Sequence, residues 1–351
     1  MIKLALLCTA LTAPTLLGAQ WTLLPMGTDA EFRGLSVLGT KIVWASGTRG
    51  RVARTADGGN TWTVDTIEGA SALDLRDIVG MSARRAWTIS SGPAEEGQAQ
   101  ILGILGGARS DRRFQTDQKG VFLDAVKFWD ARHGIALSDP VNGKLFLLST
   151  RDGGATWTQL NTDHAPAVLP GEASFAASGT CLAVHGTSNV WIGTGGGERA
   201  RVFRSRDRGR SWTVADTPVH ARSASSGIFS VAFTDDRHGV VSGGDYAHAH
   251  TASANVALTD DGGSTWHLST GVLPQGYMSA VAYVPQTRGR SLVAVGLAGT
   301  ARSIDGGESW SMIDTVPYNS VAFASRTLGW AAGPGGRIAR WTPSTTGSAK
   351  P

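Results

Sequence analysis

Apolar residues in this chain come in short runs, each cut off by a cluster of Gly, Asp, Ser or Pro. Leu75-Arg76-Asp77-Ile78-Val79, Ala86-Trp87-Thr88-Ile89 and Ile101-Leu102-Gly103-Ile104 follow one another in this way, as do Ser320–Phe323, Gly329–Gly333 and Arg337–Arg340. Such runs, bounded by turn formers, predict strands. Between strands a phrase recurs. Thr55-Ala56-Asp57-Gly58-Gly59-Asn60-Thr61-Trp62 returns at 150–157, 205–212, 259–266 and 303–310, always as Ser/Thr-x-Asp-x-Gly-x-Ser/Thr-Trp. Each copy follows a β-like run such as Arg51–Arg54 and leads into another such as Trp62-Thr63-Val64, which puts its Asp-x-Gly core at a hairpin turn. A short carboxylate there accepts N–H groups of its own turn, Gly supplies the positive φ, and the Trp buries a large ring just after it.

Repetition at tens of residues means one supersecondary unit used many times. The repeated aspartates are Asp57, Asp152, Asp207, Asp261 and Asp305, and the first gap is about twice the others. A unit without the phrase should therefore lie at 75–117, with a degraded turn near Ser110-Asp111 and Phe114 where the Trp would be. A last unit at 320–340 has three strands and lacks its fourth. Gln20-Trp21-Thr22-Leu23-Leu24 matches the strands that follow the phrase elsewhere, such as Thr156–Leu160, so the N-terminal strand is expected to close the ring. Of the twelve Trp, Trp44, Trp87, Trp191 and Trp330 fall at one second-strand position, and only Trp129 lacks a repeat-wide role. The prediction is an all-β fold, a seven-bladed propeller occupying 20–341 as one domain, with no edge left to aggregate.

The phrase resembles the Asp-box, or BNR repeat, of sialidase-like propellers. The wider repeat, Val-Ala-Phe … Gly-Trp-Ala … Gly … Arg-Thr-x-Asp-Gly-Gly-x-Thr-Trp-Thr, resembles the photosystem II stability/assembly-factor family over nearly all of 20–341. That resemblance implies a protein-binding role without a known reaction, and the box aspartates would be structural. Sialidases also need an arginine triad, a Phe/Tyr-Arg-Ile-Pro segment and a Tyr–Glu pair; no such segment occurs here, and none of Tyr246, Tyr277, Tyr283 and Tyr318 is matched to a Glu. Xyloglucanase-type enzymes place two catalytic aspartates between two large propellers, whereas this chain has one.

Residues 1–19 read as a secretory leader: Lys3, then an apolar stretch through Leu16-Leu17, with cleavage after Ala19. That stretch is too short to span a bilayer, and a secreted or periplasmic location is expected. Residues 342–351 read as a disordered polar tail. With the leader removed, Cys181 is the one cysteine, expected to be a buried inert thiol. Charged residues make up 17%, below the usual quarter or so, and glycines number 46, as strands buried between blades and many tight turns would require. A net charge of +4 without a basic run argues against nucleic acid. No cofactor is expected, and the chain is read as a monomer.

In a propeller, the loops entering inner strands and those joining second to third strands share one face. The first set carries Arg33, Arg76, Asp77, Asp124, Thr180, Phe229, Tyr277 and Asn319; the second carries Ser91–Gly97, Ser138–Asn142, Gly195-Gly196-Gly197 and Gly244–His250. Long loops on a rigid scaffold concentrate function. Arg33, Arg76, Asp77, Asp124, Tyr246 and Tyr277 are therefore the candidate binding residues, for a peptide, protein or glycan. Asp77, Asp124 and Asp139 are the candidate catalytic carboxylates for glycoside hydrolysis; the plainer reading caps turns with them or pairs them with Arg76. Asp245, His248 and His250 have metal-ligand chemistry, but alternating His on a loop more often has no such role, and no metal is expected. Gly195–Gly197 is not a phosphate loop, since no Lys-Ser/Thr follows.

Overall fold

The computed structural model describes residues 20–342. It contains seven four-stranded antiparallel sheets, each built from strands consecutive in the chain except the last. The blades span 32–66, 75–115, 123–159, 182–216, 226–268 and 280–314, and the seventh joins 320–342 to Gln20–Leu24. The inner strand of each blade packs against that of the next, and the seventh against the first, which closes the ring. The N-terminal strand pairs with Ile338–Thr342 in the register Trp21 to Trp341, and these two rings meet edge to face at 4.9 Å. Thr342 thus belongs to the last strand rather than to a tail. The expected leader and the remainder of the expected tail lie outside the described residues.

The boxes sit between third and fourth strands, as their spacing requires. In the first, Asp57 accepts Thr61 N–H at 2.9 Å and Thr61 Oγ1–H at 2.6 Å, while Thr55 Oγ1 donates to Asp57 at 2.8 Å and accepts Gly59 N–H at 3.0 Å. Asp152 repeats the pattern through Thr156 and Thr150. The hydroxyl of Thr61 foremost, then its N–H and Thr55, hold Asp57 down at about 2, and Thr156 and Thr150 do the same for Asp152. Each box also fastens one blade to the previous one. Trp87, in the second strand of blade two, lies against Gly154 of blade three, where φ is 89° and a Cβ would come within 2.4 Å of the ring. Trp191 donates to Gly262 O at 2.9 Å in the same relation. Where the box is missing, in blade two, Trp44 donates instead to Ser82 O at 2.9 Å. Trp129 joins neighbours too, donating to Asn189 O of blade four at 2.8 Å.

Two details differ from the sequence reading. The turn of blade two falls before Ser110, not at it: Leu105 N–H reaches Arg109 O at 3.0 Å, and Ser110–Gln115 is already strand. Blade four's inner strand begins at Leu182, whereas the run Gly179-Thr180-Cys181-Leu182-Ala183-Val184 predicts it from Gly179. The residues before it do something else.

Candidate functional site

The connection between blades three and four, 160–181, is far longer than the others, and it folds into the mouth of the channel. Its base is pinned by a buried ion pair. Arg201, in blade four, forks onto Glu172, with Arg201 Nε donating at 3.0 Å; Thr194 Oγ1 and Leu169 N–H also donate to Glu172, at 2.6 and 2.7 Å. Beyond Glu172 the chain bridges Ala173 to Gly195 and Gly195 to Gly227. This explains the glycine run: a Cβ at Gly195 would stand 2.5 Å from Gly227 Cα and 2.9 Å from the Phe175 ring.

Residues 174–180 then plug the channel, touching residues of blades one, two, three, five and six in turn. Arg33 of blade one donates to Ala177 O at 3.2 Å, and Arg76 of blade two reaches Ala176 O at 3.5 Å. Asp139 of blade three accepts Ser174 N–H at 3.0 Å. Thr180 donates to Ser230 of blade five at 2.8 Å, and Ser178 to Ser279 O of blade six at 2.9 Å. Phe175 stacks on Phe229 at 3.9 Å, and Tyr277 and Tyr246 stand edge-on to Phe229 at 4.7 and 6.0 Å.

Above the plug lies a cavity of about 370 Å³. It brings together Arg33, Arg76, Asp124, Asp139, Tyr246 and Tyr277, with Phe175, Phe229 and Asn319 completing its wall. Arg33 and Arg76 are partly exposed and are held by acids of their own loops, Glu31 at 2.6 Å and Asp74 at 2.7 Å. Tyr246 is half exposed, while Tyr277 is buried. Asp124 is fully buried, and among the described residues neither of its oxygens has a hydrogen-bond partner. Burial foremost, then the nearby Asp139, pushes it well above the usual carboxylate range, against the pull of Arg76. Burial likewise raises Asp139 to about 6 despite the Ser174 N–H.

Asp77 does not join this group. Its buried carboxylate takes Lys127 Nζ at 2.7 Å, Val126 N–H at 2.8 Å and Ile78 N–H at 2.9 Å, so it fastens blade two to blade three. The pairing of a candidate aspartate with Arg76 is not seen either, since Asp74 holds that arginine. Asp245 accepts Ala247 N–H at 3.0 Å and lies 3.0 Å from His248 Nδ1, spending its carboxylate within the loop; among the described residues no cluster of acids, His and Cys suits a metal ion. Cys181 is buried, and burial pushes its thiol well up. Phe175, Glu172 and Arg201 were not foreseen; the signal was an apolar Phe-Ala-Ala inside a connection too long for a blade junction.

Fold and site together define a seven-bladed propeller with a plugged channel and a small, polar and aromatic cavity at its mouth. No family model and no curated protein matches the sequence. Among solved structures, one described as YCF48 bound to D1 peptide superposes with a TM-score of 0.61 at 16% identity, over 95% of this chain and 99% of that one. YCF48 from Cyanidioschyzon merolae gives 0.64 at 18% identity, over 92% and 99%. The GH74 xyloglucanase from Xanthomonas campestris gives 0.59 at 17%, over 92% of this chain but 53% of the enzyme. At such identities the likeness is one of fold, and the fold is that of the YCF48 propellers. Among the described residues no helix is long and apolar enough to cross a membrane.

Proposed function

We propose that this chain is an exported, monomeric binding propeller of the assembly-factor kind, which captures a polar peptide over the mouth of its plugged channel. The observation that carries the reading is the cavity wall: aromatic rings of Phe175, Phe229 and Tyr246 set beside the N–H groups of Arg33 and Arg76. Tyr and Arg are the residue types that dominate binding hot spots, because each offers a large apolar contact with a polar end. A structural neighbour is described with a peptide bound, which supports the same class of ligand here. Export rests on the leader-like residues 1–19.

Hydrolysis of a glycan is the second reading, favoured by the xyloglucanase neighbour and by two carboxyls in one cavity. It is the weaker one. Glycosidases flank the scissile bond with their two acids, whereas Asp124 and Asp139 stand on adjacent strands of a single blade, side by side in one wall.

An array of capped peptides probed with the purified chain tests the binding reading. Tyr246→Ala removes an exposed ring that supports little else, so it should lower retention at least tenfold while leaving the melting temperature within a degree or two. Arg76→Ala should also lower it, but less cleanly, since Arg76 also steadies the plug. Turnover of xyloglucan that disappears in Asp124→Asn, with no peptide retained, would replace the binder by an enzyme.

A further inference from the structure

The cavity holds two carboxyls that the protein itself leaves uncompensated. Among the charged groups around it, these two have no ion-pair partner among the described residues, and the pull of Arg76 only partly offsets the burial of Asp124. Arg33 is paired with Glu31 and Arg76 with Asp74, so both arginines are neutralised by acids of their own loops. Tyr246, Tyr277 and Asn319 are neutral, and Asn319 is spent on Phe32 O at 3.0 Å and on Glu31. Asp139 uses one oxygen on Ser174 N–H and has no protein donor on the other. Asp124, on the neighbouring strand, is fully buried, and both its oxygens are unpartnered among the described residues. A buried carboxyl without a donor is costly, and such groups in native structures ordinarily meet a water, an ion or a ligand.

We propose that the Asp124–Asp139 pair anchors a basic side chain, lysine or arginine, of the captured peptide; this rests on the peptide-binding reading above. The cation would meet the free oxygen of Asp139 first, with Asp124 supplying the second negative charge from behind. Its alkyl stem would lie against Phe175 and the half-exposed Tyr246. The volume, about 370 Å³, is of the size that takes a side chain rather than a folded surface. Burial raises Asp139 to about 6, so its negative charge, and retention with it, should grow as pH rises through about 6. The other charged or ionisable groups around the pair are Arg33, Arg76, Tyr246 and Tyr277 in the cavity wall and the buried Cys181 near Asp124.

Three libraries of capped heptapeptides decide the matter, with lysine, norleucine or glutamate fixed at the centre and other positions randomised. The lysine library should be retained at least tenfold more strongly than the norleucine library at pH 7.5, roughly a tenfold equilibrium difference. Asp139→Asn, whose amide oxygen can still accept Ser174 N–H, should remove most of that preference. Asp124→Asn should do the same and raise the melting temperature of the free protein, because it deletes a buried uncompensated acid. Equal retention of lysine and norleucine overturns the anchor but not the binder. Preference for glutamate moves the anchor to Arg33 and Arg76. No retention of any library overturns the peptide-binding reading and this proposal with it.

Discussion

In each box two residues share the work, and burial decides which matters more to stability. Asp152 is exposed, so water can replace much of what it gives Thr156; Thr150 is buried, and its hydroxyl is the acceptor for the buried Gly154 N–H at 2.8 Å. Thr150→Val should therefore cost about 1–3 kcal/mol in chemical denaturation, the usual loss on orphaning a buried donor. Asp152→Asn should cost clearly less, and the reverse ranking would show that the carboxylate, not the hydroxyl, holds the turn. The carboxylate has its own signature in pH. Its folded value, about 2, lies below the ordinary 3.8, so its contribution is complete above about 4 and is lost as pH falls toward 2. Asp152→Asn should flatten that part of the acid unfolding curve; an unchanged curve would mean the turn hydrogen bonds are not formed in solution.

The plug shows how one long connection can be made rigid. Glu172 and Arg201 are almost wholly buried, and the acid is saturated by Arg201, Thr194 and Leu169. Breaking such a pair leaves a charge in the interior, whereas deleting both partners can be nearly neutral. Arg201→Ala should thus destabilise by about 3–5 kcal/mol, and Arg201→Met with Glu172→Leu by much less. A single variant as stable as the parent would mean the plug is held by its aromatic stack alone. The same element explains why Asp139 is in the cavity at all: Ser174 N–H fixes its carboxylate.

Over the whole molecule, closure depends on one short strand. Gln20–Leu24 covers the edge of Ile338–Thr342, and Trp21 reaches into blade six, donating to Thr300 Oγ1 at 3.0 Å. Deleting 20–24 should lower the melting temperature and promote aggregation through the bared edge, followed by light scattering during a thermal ramp. A deletion variant that melts like the parent would show that the ring closes without that strand.

Nearly all of the ring was legible in the sequence, because its determinants are local and repeated. A turn that needs Ser/Thr, Asp and Gly at fixed offsets announces itself five times, and Trp44, Trp87, Trp191 and Trp330 mark a shared strand position. The face carrying Arg33, Arg76, Asp124, Tyr246 and Tyr277 followed from the same periodicity. What could not be read was how side chains pair across the channel. Asp77 and Asp124 lie two and one residues into their inner strands, yet Lys127 claims the first while, among the described residues, nothing hydrogen-bonds the second. Phe175 and Glu172 lie in a connection without a repeat, and their partners, Phe229 and Arg201, are distant in the chain. Local turn chemistry is written in neighbouring residues; the plug and the uncompensated carboxyls arise from contacts between blades, which only the closed ring brings within reach.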